Sequence, residues 1–384
     1  MAIITALQSL HPDWVETAER LGPVFAERAA AHDRDGSFAA ENFADLRAAR
    51  LLSAGVPAAF GGGGASYVEL ATILRRMARH CGGTALAYAM HTHQVVIAAW
   101  RQQHQGAPTD ALLRRVANEE LMLASTGGND WLAAGGTATA VDGGFRISAR
   151  KTFVSGAPAA DLVMTSAVLE GAGGAPSVLH FGVPMAAEGV RIEPTWDTLG
   201  MRASGSHDVV LDGVFVADAA IGGRRAQGLW HPLFHIISLL AFPLVYSVYV
   251  GLADAARDRA VASAQRPGRR HDVLAHQQVG EMENQHALAT LALESMIATA
   301  VSTEPGPAAT NAIHIRRALA GRAAVATVEK AMEVIGGGAY FRRAGVERLF
   351  RDVQGARFHP LADKEQLAYA GRIAVGLGPD PIAG

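Results

Sequence analysis

Residues 121–155 read LMLASTGGNDWLAAGGTATAVDGGFRISARKTFVS, and this stretch decides the fold of the chain. Its short apolar runs alternate with polar residues and are interrupted by glycines, which is the pattern of strands and tight turns. Two corners within it, residues 126–130 and residues 151–155, combine small residues, hydroxyl groups and one aromatic ring. A flat cofactor with polar edges needs this combination, because the backbone must approach it closely and a ring must cover one of its faces.

The sequence on both sides of this region has the apolar periodicity of helices. Before it, helices are predicted at residues 14–30, 40–49, 67–79, 84–104 and 110–120. Strands are predicted at residues 137–141, 145–149, 162–168, 178–184, 190–193 and 209–211. After it, helices are predicted at residues 233–264, 275–303, 308–335 and 361–375. The sequence therefore predicts an α+β chain with an N-terminal helical domain at residues 1–120, a middle β-barrel-like domain at 121–228 and a C-terminal helical bundle at 229–384.

Charge and cysteine content exclude several classes of protein. The formal net charge is −2 over 384 residues, so the chain has no basic field for a nucleic-acid partner. Cys81 is the single cysteine, which excludes an intrachain disulfide and cysteine-rich metal sites, and no metal site is predicted.

One segment is long and apolar enough to raise the question of a membrane. Residues 226–253 contain no Asp, Glu, Lys or Arg, and 236–253 could cross a bilayer by length. Pro243 and several hydroxyl-bearing residues lie within it, and a helix buried on all sides has the same composition. The N-terminus lacks the basic start of a secretory signal. We therefore expect a cytoplasmic protein without a membrane span.

Five short motifs follow one another along the chain. They are VPAAFGGGGAS at 56–66, TLGMRAS at 198–204, DGVFV at 212–216, VIGGGAY at 334–340 and VERLFRD at 346–352. In this order they resemble the motifs of the acyl-CoA dehydrogenase superfamily of flavoproteins, and the resemblance covers nearly the whole chain.

The resemblance implies a bound FAD between the β-domain and the helical bundle, or FMN if the protein is a monooxygenase. The residues implied at the flavin ring are Ser125, Thr126, Asn129, Phe153 and Ser155. Phe153 would pack near the ring, and Ser155 would form a hydrogen bond near its N5 atom.

Other matched positions imply a shared cofactor site and a substrate entrance. Arg266, Gly336 and Gly337 match residues that bind the FAD pyrophosphate, the arginine reaching across from a neighbouring subunit. A homodimer or homotetramer is therefore expected. Arg202 and Ser204 are expected at the substrate entrance.

The catalytic glutamate that the resemblance leads one to expect is missing. In most relatives it follows the signature that here ends at Asp352, and the matching position is Pro360. In others it lies on the first helix of the C-terminal bundle, but residues 219–253 contain no carboxylate.

Three interpretations remain open, and the first is the working hypothesis. It is α,β-dehydrogenation of an acyl-CoA or related thioester, with His359 as the base, hydride transfer to flavin N5, and electrons passing to an electron-transfer flavoprotein or to oxygen. The second is a monooxygenase supplied by a flavin reductase, with His91, His93, Ser155 and His359 as polar donors around the flavin. The third is a protein that binds flavin or an acyl thioester without catalysis.

Overall fold

The computed structural model describes residues 13–128, 130–170 and 175–380, and its elements fall into three consecutive groups. The first group is helical, with α1 Trp14–Asp35, α2 Ala40–Ala48, α3 Tyr67–Ala78, α4 Gly82–Gln105 and α5 Asp110–Glu119. The strands are β1 Leu123–Ser125, β2 Thr137–Val141, β3 Gly144–Val154, β4 Leu162–Leu169, β5 Ser177–Pro184, β6 Val190–Glu193, β7 His207–Ala217 and β8 Ile221–Ala226. The last group is α6 Pro232–Ala264, α7 Val273–Ser302, α8 Pro307–Ile335, α9 Val346–Val353 and α10 Asp363–Ala374. The predicted α+β architecture is confirmed.

The strands form one mixed sheet in the order β6-β7-β3-β2-β4-β5-β8, and β1 pairs in parallel with β4. Most neighbours are antiparallel, as expected for strands joined by tight turns. The regular pairing of β3 with β7 is interrupted between Lys151 and Val154. A β-bulge of this kind redirects side chains, and here it lies at the second glycine-flanked corner.

The apolar helix α6 lies at the centre of the bundle and packs against α3, α4, α7 and α8. It is a described helix that is long and apolar enough to cross a bilayer, but 94% of its most apolar window is buried inside the protein. A helix covered on all sides needs no polar face, which explains its lack of charged residues. It is a core helix, as predicted.

The structure differs from the sequence prediction at several elements, among them the end of α1 and two strands, β1 and β8, that were not predicted. Helix α1 continues past residue 30 to Asp35, because Gly36 adopts the left-handed conformation that ends a helix. The strand β1 has only three residues, too few to show a period. The strand β8, IGGRRA, has glycines and arginines where alternating apolar residues would mark a strand.

Candidate active site

A cavity of about 510 Å³ lies where the sheet meets the helical bundle. Its sheet side is lined by Ser125, Gly127, Gly128, Trp131, Phe153, Ser155, Trp196 and Ser206. Its helical side is lined by Leu86, Met90, His93, Ile237, Ala241, Phe242, Val245, Tyr249, Phe358 and His359. A volume of this size is within the range of small-molecule and cofactor sites.

The corner at Phe153 is held in an unusual conformation beside this cavity. Phe153 has a φ of +59°, which is rare for a residue with a side chain and costs on the order of 1–3 kcal/mol. The residue is 53% exposed, and its ring meets the Trp196 ring edge-on at 6.3 Å between centroids. The strain presents an aromatic surface to the cavity.

The other corner leaves room for a flat group. A Cβ added at Gly127 would meet nothing within 4 Å, and one at Gly128 would lie 3.5 Å from the Phe153 ring. Together with the cavity volume and the exposed ring, this open space fits a flavin ring.

Three serine hydroxyls form a chain that begins at the cavity. The Ser155 and Ser206 hydroxyl oxygens lie 2.8 Å apart, and those of Ser206 and Ser204 lie 2.7 Å apart. Ser155 and Ser206 line the cavity, whereas Ser204 is fully buried behind them. Ser204 therefore supports this chain, and the structure does not place it at a substrate entrance.

Thr126 also lies behind the cavity wall. Its buried hydroxyl donates to Asp130 at 3.2 Å and lies 2.9 Å from the Thr165 hydroxyl. It holds the following loop, so the structure does not support direct contact with the flavin. Ser125 does line the cavity. Asn129 lies outside the described residues.

The loop at residues 130–136, which carries Trp131, is held by two buried cations. The Lys151 ammonium group donates to the Asp130 carboxylate and, at 2.7 Å, to the Gly135 carbonyl. Burial lowers the pKa of Lys151 from its ordinary value. The Arg225 guanidinium donates to the Trp131 carbonyl at 3.0 Å and to the Leu132 carbonyl at 2.6 Å. These bonds fix one wall of the cavity.

His91 does not line the cavity. Its Nε2–H donates to the Leu52 carbonyl at 2.7 Å, and its Nδ1 accepts from the Leu123 amide at 3.0 Å. Burial lowers its pKa to about 4, so the ring is neutral at neutral pH. With both nitrogens bonded to backbone, His91 joins α4 to β1 and does not have the predicted catalytic place at the cavity.

His93 and His359 do line the cavity. The His93 Nδ1–H donates to the Ala89 carbonyl at 3.0 Å, and its Nε2 accepts from Gln94 at 3.1 Å. The His359 Nε2 lies 2.6 Å from the Tyr249 hydroxyl. Burial, with the Arg317 charge and His93 nearby, lowers the pKa of His359 to about 3. Burial also lowers the pKa of His93 to about 4, so both imidazoles are neutral at neutral pH.

The described residues that line the cavity include no Asp or Glu. Arg351 is the charged residue among them, and its guanidinium binds Asp33 at 2.6 Å and Glu347 at 2.7 Å. Asp352 lies behind the wall and accepts from the Met201 amide at 2.6 Å, and burial raises its pKa to about 6. The cavity is therefore nearly neutral.

Arg202 points away from the cavity. Its guanidinium donates to the Asp33 carbonyl at 2.7 Å, to the Asp197 carboxylate at 2.9 Å and to the Thr198 carbonyl at 2.8 Å. It joins the end of α1 to the loop before β7. Arg202 therefore connects two parts of the fold, and the structure does not place it at the predicted substrate entrance.

Arg266, Gly336 and Gly337 lie exposed at the far end of the bundle and outside the cavity of their own chain. The nearby Arg269 side chain donates to the Val334 carbonyl at 2.5 Å, which brings this segment close to the end of α8. Binding of a pyrophosphate there by two subunits stays a prediction. Among the described residues no group of three or more His, Cys, Asp or Glu side chains could hold a metal.

Three family models cover most of the chain. Residues 17–120 match the acyl-CoA dehydrogenase N-terminal domain, 124–214 the middle domain and 243–359 the C-terminal domain.

Two relatives with different activities and one solved structure are similar to this chain over two thirds of its length or more. The L-evernosamine nitrososynthase of Micromonospora sp. is 30% identical over 93% of this chain and 89% of that protein. The dibenzothiophene monooxygenase of Mycolicibacterium goodii is 31% identical over 67% of this chain and 63% of that protein. KijD3, solved with FMN and dTDP-3-amino-2,3,6-trideoxy-4-keto-3-methyl-D-glucose, has a TM-score of 0.87 and 28% identity over 97% of this chain and 96% of that chain.

Proposed function

This chain belongs to the acyl-CoA dehydrogenase superfamily, and from that premise we propose that it is a flavin-dependent monooxygenase. It uses FMN reduced by a separate flavin reductase and oxygenates a neutral, largely apolar small molecule. The observation that carries this proposal is a cavity whose described lining contains no carboxylate. Its Arg351 is paired with Asp33 and Glu347, and its other hydrogen-bonding groups are neutral.

Dehydrogenation of an acyl thioester needs a base within reach of a carbon-bound proton. Tyr249 on α6 and His359 after α9 lie in the two regions where the resemblance leads one to expect a carboxylate, and they contact each other. Burial lowers the pKa of His359 to about 3, which makes it a weaker base than an exposed imidazole. The site therefore supports the monooxygenase interpretation better than the working hypothesis, in which His359 is the base for dehydrogenation.

The flavin supplies the redox chemistry when it is bound, and the protein supplies binding and orientation. Phe153 would cover the ring, while the hydroxyls of Ser125, Ser155 and Ser206 would bind its polar edge. Trp131 and Trp196 would exclude water. FMN is preferred to FAD because KijD3 was solved with FMN. A homo-oligomer, and a pyrophosphate site shared between its subunits if FAD is used, remain parts of the proposal.

The substrate side of the cavity favours an uncharged molecule. Phe242, Phe358 and Ile237 contribute to apolar walls, and the Arg351 charge is already balanced by two carboxylates. Moving a charged group into such surroundings without a partner is costly.

We expect oxygenation to require reduced flavin and molecular oxygen. Purified protein is mixed with FMN, a flavin reductase, NADH and isotopically labelled O₂, and a panel of neutral aromatic compounds is analysed by mass spectrometry. The expected result is one labelled oxygen atom in the product of at least one compound, and none without the protein. The opposite result is bleaching of the oxidised flavin by an acyl-CoA under anaerobic conditions, which would establish dehydrogenation instead.

We also expect the flavin-loaded protein to bind naphthalene at least about ten-fold more tightly than naphthoate, a difference of about 1.4 kcal/mol. The two ligands share one ring system and differ in charge, and calorimetry measures both. Phe242→Leu should weaken naphthalene binding, because Phe242 lines the cavity. Phe215→Leu is the matched control, since Phe215 is an exposed residue of β7 outside the cavity. Equal affinity for the two ligands would count against a neutral substrate.

A further inference from the structure

We propose that Tyr249 is a positioning residue that fixes the tautomer of His359, so that His359 presents its Nδ1–H group to the cavity. The role of this donor in oxygenation rests on the proposed function. The hydrogen-bond geometry itself does not.

The Tyr249 hydroxyl has one hydrogen-bond partner among the described residues, the Nε2 atom of His359 at 2.6 Å. Tyr249 is only 1% exposed, so its hydroxyl proton needs a partner within the protein. A buried donor without an acceptor costs about 1–3 kcal/mol. If Nε2 carried a proton, it would point at the Tyr249 oxygen and leave the phenol proton unpaired. The phenol therefore donates to Nε2, and in a neutral imidazole the ring proton then lies on Nδ1.

The protonation states of the two groups agree with this arrangement. Burial raises the pKa of Tyr249 well above its ordinary value, so the phenol keeps its proton. His359 is neutral because burial, with Arg317 of α8 and His93 of α4, lowers its pKa to about 3. The titratable and charged groups that face this pair are Tyr246 of α6, His93 of α4, Arg317 of α8 and Asp352 of α9.

The backbone around His359 is fixed separately from its ring. The buried Arg317 guanidinium donates to the His359 carbonyl at 2.9 Å, to the Leu361 carbonyl and to the Tyr246 hydroxyl at 3.0 Å. The Tyr246 hydroxyl donates to the Ala356 carbonyl at 2.7 Å. These bonds attach residues 356–361 to α6 and α8, so the backbone that carries the imidazole is held beside Tyr249.

The outward face of the ring is available to a ligand. His359 lines the cavity, and its Nδ1 has no hydrogen-bond partner in the described part of the chain. An N–H group fixed in this way is a preorganised donor to an oxygen atom of a bound molecule. In this tautomer His359 cannot also act as a base toward a ligand in the cavity, because its free lone pair is on Nε2, which accepts the hydrogen bond from Tyr249.

The test is nitrogen NMR of histidine-labelled protein, with the His359 signals assigned by their loss in His359→Gln. We expect wild-type His359 to be protonated on Nδ1 and unprotonated on Nε2. Tyr249→Phe removes only the hydroxyl and should shift the signals toward protonation on Nε2. Tyr67→Phe is the matched control, because Tyr67 also donates from α3 to α6, at 2.8 Å to the Leu240 carbonyl, but is not part of the cavity.

A wild-type His359 protonated on Nε2, or a Tyr249→Phe spectrum identical to that of the wild type, overturns the inference. If Tyr249→Phe does not fold, the wild-type spectrum still decides between the two tautomers. The readout needs no turnover, so it is independent of the oxygenation assay. A failure of oxygenation with the expected tautomer would reject the proposed function and leave the positioning role intact.

Discussion

Gly251→Ala is expected to destabilise the protein by about 3 kcal/mol, a typical upper value for an overpacked core. A Cβ at Gly251 would lie 2.1 Å from the Arg75 carbonyl oxygen and 2.9 Å from the Ala78 Cβ. Gly251 belongs to α6, and Arg75 and Ala78 belong to the facing side of α3. The contact involves backbone of a second rigid helix, so the two helices must separate to admit the methyl group. The urea midpoint of unfolding measures the effect.

Gly280→Ala provides the matched control on an exposed part of α7. A Cβ there would meet nothing within 4 Å, so alanine should stabilise the helix by roughly 0.5–1 kcal/mol. The same substitution in two helices is therefore expected to shift the midpoint in opposite directions. If both variants unfold at the wild-type midpoint, α3 and α6 do not pack as closely at Gly251 as described.

The order of helices and strands could be predicted because long periodic segments report which faces are buried. Pro243 and the hydroxyl-bearing residues of the uncharged segment predict a core helix and not a membrane span, and the burial of Pro232–Ala264 inside the protein confirms this prediction. The end of α1 was missed because His32–Asp35 reads as a charged turn, whereas the helix continues until Gly36. Local composition does not record a helix that extends into polar sequence, and only the cap at Gly36 marks its end.

The two histidines of α4 show where sequence reasoning about the site stops. His91 and His93 were both predicted as cavity residues, but positions two apart on a helix point to different faces. The fold turns His93 to the cavity and His91 to the backbone of Leu52 and Leu123. Helical geometry predicts that one of the pair is excluded, but which one depends on how α4 packs.

Several cavity residues were not predicted because only contacts with residues far away in the sequence bring them to the cavity. Tyr249 lies in an apolar helix and reads as an ordinary core residue until His359 is placed beside it. Ser206 is one of many serines near turns, and only the fold shows that it joins Ser155 at the cavity. Phe153 and Ser155 could be located because the corner at residues 151–155 and the family resemblance indicate the same positions, and Ser125 could be located from the resemblance.

Lys151→Met is expected to have the second large effect, a destabilisation of about 3–5 kcal/mol accompanied by loss of flavin affinity. Lys151 is 2% exposed and pairs with Asp130, whose side chain is 9% exposed. Removing the ammonium group leaves a buried carboxylate without its counterion and the Gly135 carbonyl without its donor. The loop that carries Trp131 then loses one of the attachments that hold it against the cavity. Urea unfolding and flavin titration of the purified variant measure the two effects.

A substitution at the neighbouring residue Arg150 serves as the control, because it also removes a cationic side chain from β3. Arg150 pairs with Asp208 at 2.7 Å, and its side chain is 57% exposed, so solvent screens this pair more than the Lys151 pair although the Asp208 side chain is only 11% exposed. Arg150→Met should therefore destabilise the protein less than Lys151→Met and leave flavin affinity nearly unchanged. Adding Asp130→Asn to Lys151→Met removes the unpaired charge and keeps an acceptor for the Thr126 hydroxyl, so it should recover most of the lost stability. If the double variant regains stability but not flavin affinity, the ion pair positions the cavity wall as well as stabilising it. If Lys151→Met alone binds flavin like the wild type, the cavity wall does not depend on the pair of Lys151 with Asp130.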